Sequence, residues 1–298
     1  MSDGARALCV ALRSLFLTMV ALDPRINPFR PEIAAKYLQG QVEAKRFVEG
    51  TRHQVIEPVT ALRRTPSHDA RLDSEALLGE RVMIYETTKD GWAWGQLETD
   101  GYVGWLSANS LVPSGPAPTH KVAVLRALAF PGPDIRLPPI AALPMGARLA
   151  IARQDERFAV TVSGWHVPEV YLAPIKARQP DFVAVAEQFL GTPYLWGGKT
   201  SLGLDCSGLV QVSLQATGIA CPRDSDMQEL ALGKLSSLAS LRRGDLLFWK
   251  GHVSIARDPE TLIHANAHHM MVAFEPAAEA IPRIKAAGSE ITAVKRVI

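Results

Sequence analysis

A single cysteine stands in a glycine-rich stretch at the start of the last third of the chain. Residues 191–210 read GTPYLWGGKTSLGLDCSGLV, and Cys206 lies between an aspartate and an apolar run typical of a helix. A cysteine in the first turn of a helix meets unpaired backbone N–H groups, which stabilise a thiolate. A thiolate is the form that attacks a carbonyl carbon. The stretch therefore predicts a nucleophilic cysteine whose own N–H can bind an oxyanion.

Two histidines in the following segment can supply the base that such a cysteine requires. His252 opens the run HVSIA, and His264 closes the run TLIHA, 12 residues further on. Two antiparallel strands with a short turn at Asp258-Pro259 bring these two ends side by side. His252 is then placed to take the thiol proton and His264 to orient His252, which is the arrangement of nucleophile, base and orienting residue.

Other roles for these side chains stay open on the sequence alone. Both histidines could be ordinary strand residues, and Cys206 could be a buried structural thiol, as free cysteines often are. His264, His268 and His269 could suggest a metal cluster, but no matched cysteine or carboxylate accompanies them. We therefore expect no metal and no cofactor, and we expect His268 and His269 at the surface or in a loop.

The elements around these residues indicate an α+β domain. Residues 180–191, PDFVAVAEQFLG, place proline at the first helical position and end in glycine, as short amphipathic helices do. Residues 206–218, CSGLVQVSLQATG, predict a second helix. Residues 244–276 then predict three strands with turns at Lys250-Gly251 and Asp258-Pro259. Helices followed by strands are typical of the α+β class.

Upstream of this domain the pattern changes to short strands with tight turns. Residues 81–112 alternate apolar and polar residues, with Asp90-Gly91 and Asp100-Gly101 between the runs, which predicts a meander. Weaker echoes recur after the linker PSGPAPTH: VTALRR returns as VAVLRA, LLGERV as PMGARL, and GYVGWLSANSL as GWHVPEVYL. Three echoes in the same order indicate a duplicated small β-barrel.

These patterns divide the chain into four parts. We expect an N-terminal extension and arm over residues 1–50 and one small barrel over residues 51–113. A second barrel is expected over residues 119–175, and the domain that contains the cysteine over residues 178–298. The segments that join these parts are rich in proline and small residues, which is typical of linkers.

The composition is that of an ordinary globular protein. The 298 residues are 47% hydrophobic and 21% charged, and the formal net charge is +2. This charge gives no electrostatic reason to expect a nucleic acid or an anionic membrane as partner. Three cysteines without a Cys-x-x-Cys pair disfavour both a disulfide framework and a structural zinc site.

The apolar segment of residues 7–22 leaves three interpretations open. It is short for a membrane span, which needs about 20 residues, and Arg13 interrupts it. No small-x-small cleavage site of a signal peptide follows it. It can be an extra helix, an export signal, or an upstream extension with translation starting near Met19. We expect no stable membrane insertion and a cytoplasmic location, with a periplasmic or exported protein as the alternative.

Five motifs of the last domain resemble, in the same order, those of the NlpC/P60 cysteine peptidases, papain-like enzymes that cut cell-wall peptides. The motifs are PYLWGG, DCSGLV, RRGDLLFW, GHVSIA and LIHA. The resemblance implies Cys206 as nucleophile, His252 as general base and His264 as the orienting third residue. The two barrels resemble bacterial SH3-like domains. The expected fold is therefore a papain-like NlpC/P60 catalytic domain preceded by two small SH3-like β-barrels.

This combination of domains resembles the γ-D-glutamyl-L-diamino acid endopeptidases. The resemblance implies cleavage after D-Glu in L-Ala-γ-D-Glu-diamino acid peptides, with a preference for a free N-terminal L-Ala. It implies a subsite where carboxylates and hydroxyls hold the ammonium and aromatic walls exclude longer peptides. Tyr102 could instead be plain packing, and Asp224 could cap a helix. The implied substrate contacts are Tyr102, Tyr194, Trp196, Asp205, Ser207, Asp224 and Ser225.

The sequence therefore predicts a cysteine endopeptidase that acts on small murein peptides, in cell-wall peptide recycling or remodelling. One alternative is a protein whose SH3-like barrels bind peptidoglycan beside a vestigial catalytic domain. The intact set of Cys206, His252 and His264 argues against that alternative. A third interpretation keeps the cysteine chemistry but makes the protein an amidase or acyltransferase on another substrate.

Overall fold

The computed structural model describes residues 22–297. Residues 1–21, which include all but the last residue of the apolar segment 7–22, thus lie outside the described residues. Among residues 22–297, no helix has both the length and the apolar character needed to span a bilayer.

Residues 22–50 form an arm that packs on the barrel that follows. Ile33 of the arm is fully buried beside Trp92, Trp94 and Trp105. The Arg30 guanidinium lies 4.6 Å from the ring centroids of Trp94 and Trp105, so cation-π attraction adds to this apolar contact. The arm contains a 3-10 helix, Lys36–Leu38, and three strands: β1 (Phe29–Arg30), β2 (Ile33–Ala35) and β3 (Phe47–Val48).

Residues 51–113 form one seven-stranded sheet around a buried apolar cluster. The predicted meander is confirmed, since antiparallel strands flank both Asp-Gly turns and the two turn glycines have φ values of +82° and +77°. Such φ values favour glycine. The strands are β4 (Thr51–Val55), β5 (Val59–Arg63), β6 (Leu72–Leu77), β7 (Arg81–Thr87), β8 (Trp92–Leu97), β9 (Val103–Ser107) and β10 (Leu111–Pro113), in the sheet order β10-β4-β7-β8-β9-β5-β6.

Residues 120–174 form a smaller unit of three short sheets with its own buried cluster, which includes Val122, Leu143 and Val167. Its assignment as a second SH3-like barrel stays a prediction. The strands are β11 (His120–Val122), β12 (Arg126–Ala129), β13 (Ala141–Pro144), β14 (Arg148–Leu149), β15 (Ile151–Asp155), β16 (Phe158–Thr161), β17 (His166–Pro168) and β18 (Leu172–Pro174).

The described part of the last domain has four α-helices, a 3-10 helix (Leu238–Ser240) and a six-stranded antiparallel sheet, which confirms the predicted α+β class. The sheet order is β21-β26-β22-β23-β24-β25. The helices are α1 (Phe182–Gln188), α2 (Cys206–Ala216), α3 (Ser225–Ala231) and α4 (Ala277–Ala286). The strands are β19 (Lys199–Thr200), β20 (Gly203–Leu204), β21 (Lys234–Leu235), β22 (Asp245–Trp249), β23 (His252–Ala256), β24 (Thr261–Asn266), β25 (Met271–Pro276) and β26 (Ile291–Arg296).

Alternating residues of β22 build the two cores of this domain. Leu246 and Phe248 pack with α1 and α2 on one face of the sheet. Leu247 and Trp249 pack with α4 on the other face. A strand that is buried on both faces has a continuous run of hydrophobic residues in its sequence, as LLFW shows in β22. This central strand thereby holds α2, and the cysteine at its start, against the sheet.

Two local predictions for this domain are corrected. Helix α1 begins at Phe182, since the Asp181 carboxylate caps it by accepting the Val183 N–H at 2.8 Å, and Pro180 lies before the cap. Residues 244–276 contain four strands instead of three. The fourth strand, β25, pairs with β24 along its whole length.

Buried polar contacts join the first barrel to the last domain. The backbone N–H of Lys199 donates to Glu75 Oε2 at 2.8 Å, and the Lys199 ammonium lies 3.3 Å from Glu80 Oε2. Arg223 Nε donates to the Ser74 hydroxyl at 3.2 Å. All five side chains are buried. The barrel is therefore a fixed neighbour of the domain that carries Cys206.

Candidate active site

Cys206 begins helix α2, directly after the residue that caps it. Asp205 Oδ1 accepts the Gly208 N–H at 2.7 Å. The Cys206 thiol is buried, and the backbone N–H groups of Val253 and Ser207 lie in hydrogen-bonding position to its sulfur. The N–H of Cys206 itself belongs to the first turn, where no intrahelical acceptor exists. It can therefore donate to an oxyanion formed beside the sulfur.

Gly208, two residues after the cysteine, allows the helix start to lie against the preceding loop. A Cβ atom at Gly208 would lie 2.3 Å from the carbonyl oxygen of Gly198. No side chain fits at that separation without moving the backbone. The glycine at position 208 thus permits the close packing that holds Cys206 at the pocket floor.

The two predicted histidines meet on neighbouring strands. Ile255 of β23 lies opposite Ile263 of β24, and His252 Nε2 lies 3.0 Å from His264 Nδ1. Gly251, next to His252, lines the same pocket as Cys206. Val253, on the other side of His252, points its N–H at the sulfur. The structure therefore brings the three predicted catalytic residues into one region.

A carboxylate that the sequence-based prediction misses lies behind the second histidine. Glu275 Oε2 is 2.9 Å from His264 Nε2. Arg283 holds this carboxylate with two hydrogen bonds, of 2.8 and 2.7 Å. Glu275 is missed because it lies on β25, the strand that is itself missed. The alternation of MVAFEP is the signal that could have indicated that strand.

This chain of contacts fixes the proton positions on both imidazole rings. An ionised Glu275 only accepts hydrogen bonds, so His264 carries its proton on Nε2. His264 Nδ1 then accepts the proton of His252 Nε2. His252 Nδ1 is left with a free lone pair, which is what a general base for the thiol requires.

Burial sets the protonation states of these groups. It raises the pKa of the Cys206 thiol to about 12, and the Asp205 charge acts in the same direction. Burial also lowers the pKa of His252 to about 3, and that of His264 to about 4, although Glu275 opposes the second shift. Burial thus opposes the stabilisation of the thiolate that is expected from the helix start. The pKa shifts of Cys206 and His252 favour a neutral thiol and a neutral imidazole in the resting site.

A pocket of about 250 Å³ opens over Cys206, between the arm, the first barrel and the last domain. Its lining combines side chains from the arm, the first barrel and the last domain, which lie far apart in the sequence. All residues predicted to contact substrate line this pocket: Tyr102, Tyr194, Trp196, Asp205, Ser207, Asp224 and Ser225. Their positions agree with the prediction, while their roles toward a substrate stay predictions.

The Asp205 carboxylate, a predicted contact of a substrate ammonium, pairs with a buried arginine. Arg223 donates to both carboxylate oxygens of Asp205, at 2.9 and 2.8 Å, and is itself only 1% exposed. Ser207 Oγ lies 2.9 Å from the same guanidinium and 3.2 Å from Asp205 Oδ1. The carboxylate thus has a counter-ion and caps α2, while its predicted contact with a substrate ammonium stays a prediction. Arg223 is a second residue that the sequence-based prediction misses.

Asp224 presents a more open carboxylate to the pocket. Its Oδ2 accepts the Tyr102 hydroxyl at 2.9 Å, and no group in residues 22–297 donates to its Oδ1. Asp224 stands at the N-cap position of α3, but its side chain makes no capping hydrogen bond. Tyr102 is therefore more than packing, since its hydroxyl orients the carboxylate that faces the cavity.

The outer wall of the pocket is aromatic and basic. Trp196 is 54% exposed, and the Arg71 guanidinium lies 5.1 Å from its ring centroid. Tyr194 is half-buried beside Cys206, and burial raises the pKa of its hydroxyl, which therefore stays protonated. A third missed residue, Arg25 of the arm, reaches the opposite end and lies 2.8 Å from Asp224 Oδ2.

The histidine turn next to the site contains one group of potential metal ligands. Ligand atoms of His264, His269 and Glu275 lie within 4.8 Å of one another. Each already has a protein partner: His264 bonds to Glu275, and His269 Nδ1 lies 3.0 Å from Asn266 Oδ1. Arg283 adds a positive charge that opposes a cation at this place. His268 is exposed and His269 half-buried in this turn, as expected.

The antiparallel sheet, the cysteine at a helix start and the coupled histidine pair define a cysteine peptidase domain. Residues 191–284 match the NlpC/P60 family, and residues 62–111 match the bacterial dipeptidyl-peptidase Sh3 domain. The chain therefore contains an NlpC/P60 domain that follows a bacterial SH3 domain.

Known proteins similar to this chain include two named γ-D-glutamyl-L-lysine dipeptidyl-peptidase. The one from Bacillus subtilis is 31% identical over 201 residues, which cover 61% of this chain and 65% of that protein. The one from Bacillus cereus is 26% identical over 229 residues, which cover 65% of this chain and 67% of that protein. The matched region thus spans about two thirds of each relative's length.

A crystal structure of an NlpC/P60 family protein from Bacillus cereus has a similar fold. Its TM-score is 0.70 at 20% sequence identity, and the match covers 83% of this chain and 99% of that chain. At this level of identity the similarity establishes the shared arrangement of the chain.

Proposed function

We propose that this protein is a cysteine endopeptidase that hydrolyses the γ-D-glutamyl–diamino acid bond of small murein peptides with a free N-terminal L-Ala. One observation carries the proposal: the Asp224 carboxylate, oriented by Tyr102, lines the same small pocket as Cys206. A carboxylate with one open oxygen suits an ammonium, and a pocket of about 250 Å³ suits a short peptide end. The names of the two Bacillus relatives support the same substrate class.

The first chemical step is acylation of the cysteine. The Cys206 S–H proton moves to His252 Nδ1 as the sulfur attacks the γ-D-glutamyl carbonyl carbon. The carbonyl oxygen takes the negative charge and accepts the Cys206 N–H. Because the resting pair is neutral, proton transfer accompanies the attack. Glu275 stabilises the imidazolium through His264.

The second step returns the site to its resting state. The His252 imidazolium gives its proton to the leaving amine of the diamino acid, and the C–N bond breaks. Water then attacks the thioester, with His252 as base, and releases L-Ala-D-Glu with a new carboxylate. Cys206 regains its proton. The reaction balances with water alone as co-reactant.

Substitution of the nucleophile tests this proposal. Cys206→Ala should abolish release of L-Ala-D-Glu from a tripeptide L-Ala-γ-D-Glu-diamino acid, measured by mass spectrometry of the products. Cys221→Ala is the matched control, because Cys221 is also a buried free cysteine but lies outside the pocket. Circular dichroism checks that both variants fold. Full activity of Cys206→Ala would refute the mechanism.

The same assay separates the other candidate functions. Binding to sacculi without hydrolysis by the full chain would favour a peptidoglycan-binding protein with a vestigial domain. Equal rates on free and N-acetylated peptide would favour an amidase or acyltransferase with another substrate. We further propose a cytoplasmic role in recycling murein peptides, which cell fractionation with intact-mass reading of the native N-terminus tests against a periplasmic location.

A further inference from the structure

We propose that Arg25, in the arm that precedes the first barrel, is a specificity-determining positioning residue of the ammonium subsite. The inference rests on the proposed function and adds a residue to it. Arg25 lines the pocket together with Asp224 and Cys206, although it lies far from both in sequence. Its role is to hold Asp224 in place and to close the pocket beyond the first residue of the substrate.

Each N–H group of the Arg25 guanidinium donates a hydrogen bond to a carboxylate. Nη1 donates to Asp224 Oδ2 at 2.8 Å and to Asp226 Oδ1 at 3.0 Å. Nη2 donates to Asp226 Oδ2 and to Asp23 Oδ2, both at 2.7 Å. Nε lies 3.1 Å from Asp23 Oδ1. A planar fork with five donors suits such a site, whereas a lysine cannot reproduce it.

These contacts fix which oxygen of Asp224 a substrate can reach. Arg25 and Tyr102 both donate to Oδ2 and so hold the carboxylate from two sides. Oδ1, to which no described residue donates, is left for the substrate. A substrate ammonium therefore binds Asp224 without displacing Arg25.

The charges around Arg25 favour a cationic ligand. One guanidinium faces three carboxylates, those of Asp23, Asp224 and Asp226, which leaves two negative charges in excess. The remaining carboxylates of the pocket are paired elsewhere: Asp73 with Arg64 and Asp205 with Arg223. The pocket end therefore attracts an ammonium despite the arginine.

The arm that carries Arg25 is anchored on the barrel. The Val103 N–H donates to the Arg25 carbonyl at 2.7 Å, and Gln96 Nε2 donates to the Ile26 carbonyl at 2.8 Å. Further along the arm, Ile33 is fully buried. Arg25 is thus held in the pocket wall by these contacts. A longer peptide, with residues before the L-Ala, would meet the guanidinium instead of open solvent.

Replacement of Arg25 by methionine tests the inference. Arg25→Met should raise KM for the free-amine tripeptide by about tenfold and leave kcat nearly unchanged, because Asp224 loses a charged hydrogen bond but Cys206 does not. The preference for the free over the N-acetylated tripeptide should fall by a similar factor. Arg25 opposes the rise that burial causes in the pKa of Asp224, so its removal should raise that pKa further. The fall of kcat/KM on the acid side of the pH profile should therefore begin at a higher pH.

Two further variants keep the test decisive. Arg52→Met removes a barrel arginine that pairs with Glu98 and lies outside the pocket, so its kinetics should match the wild type. Arg25→Lys should give intermediate values and serves where Arg25→Met does not fold.

The outcomes separate this inference from the proposed function. Suppose that the wild type is active and that Arg25→Met folds. If this variant then keeps the wild-type KM, the wild-type preference for the free amine and the wild-type acid side of the pH profile, the role of Arg25 is overturned but the proposed function is not. Loss of kcat without a change in preference would also overturn it, since that points to a general structural role. A wild type that does not cleave the tripeptide would refute the proposed function instead.

Discussion

Glu275 Oε2 lies 2.9 Å from His264 Nε2, and His264 in turn lies 3.0 Å from His252. The predicted catalytic set of Cys206, His252 and His264 therefore continues to a carboxylate that Arg283 holds in place. An acceptor at the end of such a chain selects the tautomer of both rings, because each ring can donate in only one direction. The choice of tautomer and the charges of Asp224 and Arg223 lead to the following predictions.

Removal of the Glu275 carboxylate should reduce turnover more than binding. Glu275→Ala frees His264 to adopt the other tautomer, so we expect kcat to fall by about 10- to 100-fold with KM nearly unchanged. Glu275→Gln keeps an oxygen acceptor for His264, so its kcat should fall less than that of Glu275→Ala. Steady-state kinetics on the tripeptide measure both. A fall in Glu275→Gln as large as in Glu275→Ala would contradict the tautomer argument.

Neutralising Asp224 should weaken recognition of the free amine. Asp224→Asn keeps the size of the side chain and a hydrogen-bond acceptor for Tyr102 but removes the charge that we propose holds the ammonium. KM for the free-amine tripeptide should rise by about 10- to 100-fold, and the N-acetylated peptide should be nearly unaffected. Parallel assays of the two peptides give the comparison. Equal losses on both peptides would show that Asp224 acts on folding or turnover instead.

The pH dependence should separate binding from turnover. His252 stays neutral well below neutrality, because burial lowers its pKa to about 3, so kcat should stay flat from neutrality to about pH 5. KM should rise first on the acid side, since burial raises the pKa of Asp224 and the protonated carboxyl no longer attracts an ammonium. On the alkaline side kcat/KM should fall near about pH 8, where the substrate amine loses its proton. An alkaline fall that persists with the N-acetylated peptide would point to a protein group.

The buried pair of Arg223 and Asp205 should matter for stability. Arg223→Met leaves the Asp205 carboxylate buried without its counter-ion, which should cost about 3 to 5 kcal/mol of unfolding free energy. Arg243→Met is the matched control, since Arg243 pairs with Asp181 at the surface, where such pairs contribute about 1 kcal/mol or less. Denaturant unfolding measures both. Equal losses would contradict the importance of burial.

The sequence allowed prediction of what depends on local pattern. The cysteine at a helix start, the two histidines at facing strand ends and the Asp-Gly turns of the meander each follow from short-range signals. The structure places Cys206, His252 and His264 accordingly. The resemblance to a known family supplied the pocket residues, and these do converge on one cavity.

Other features depend on contacts that no local pattern encodes. Arg223 follows α2 in the chain and pairs with Asp205, which precedes that helix, and Arg25 reaches Asp224 from the N-terminal arm. In the sequence, a charged residue in a polar stretch cannot be distinguished from a solvent-exposed one, because its partner is known only from the fold. The raised pKa of Cys206 has the same origin, because burial is a property of the assembled domain and outweighs the local helix start.

The buried contacts of Lys199 with Glu75 and Glu80 have a consequence for folding cooperativity. Separation of the barrel from the catalytic domain would break these buried contacts, and the Lys199 ammonium would lose its carboxylate partner. Opening of the interface alone is therefore costly, and the two units should melt in a single calorimetric transition. The pocket they share would then exist only in molecules that are folded throughout, so a partly folded chain would have no selective activity.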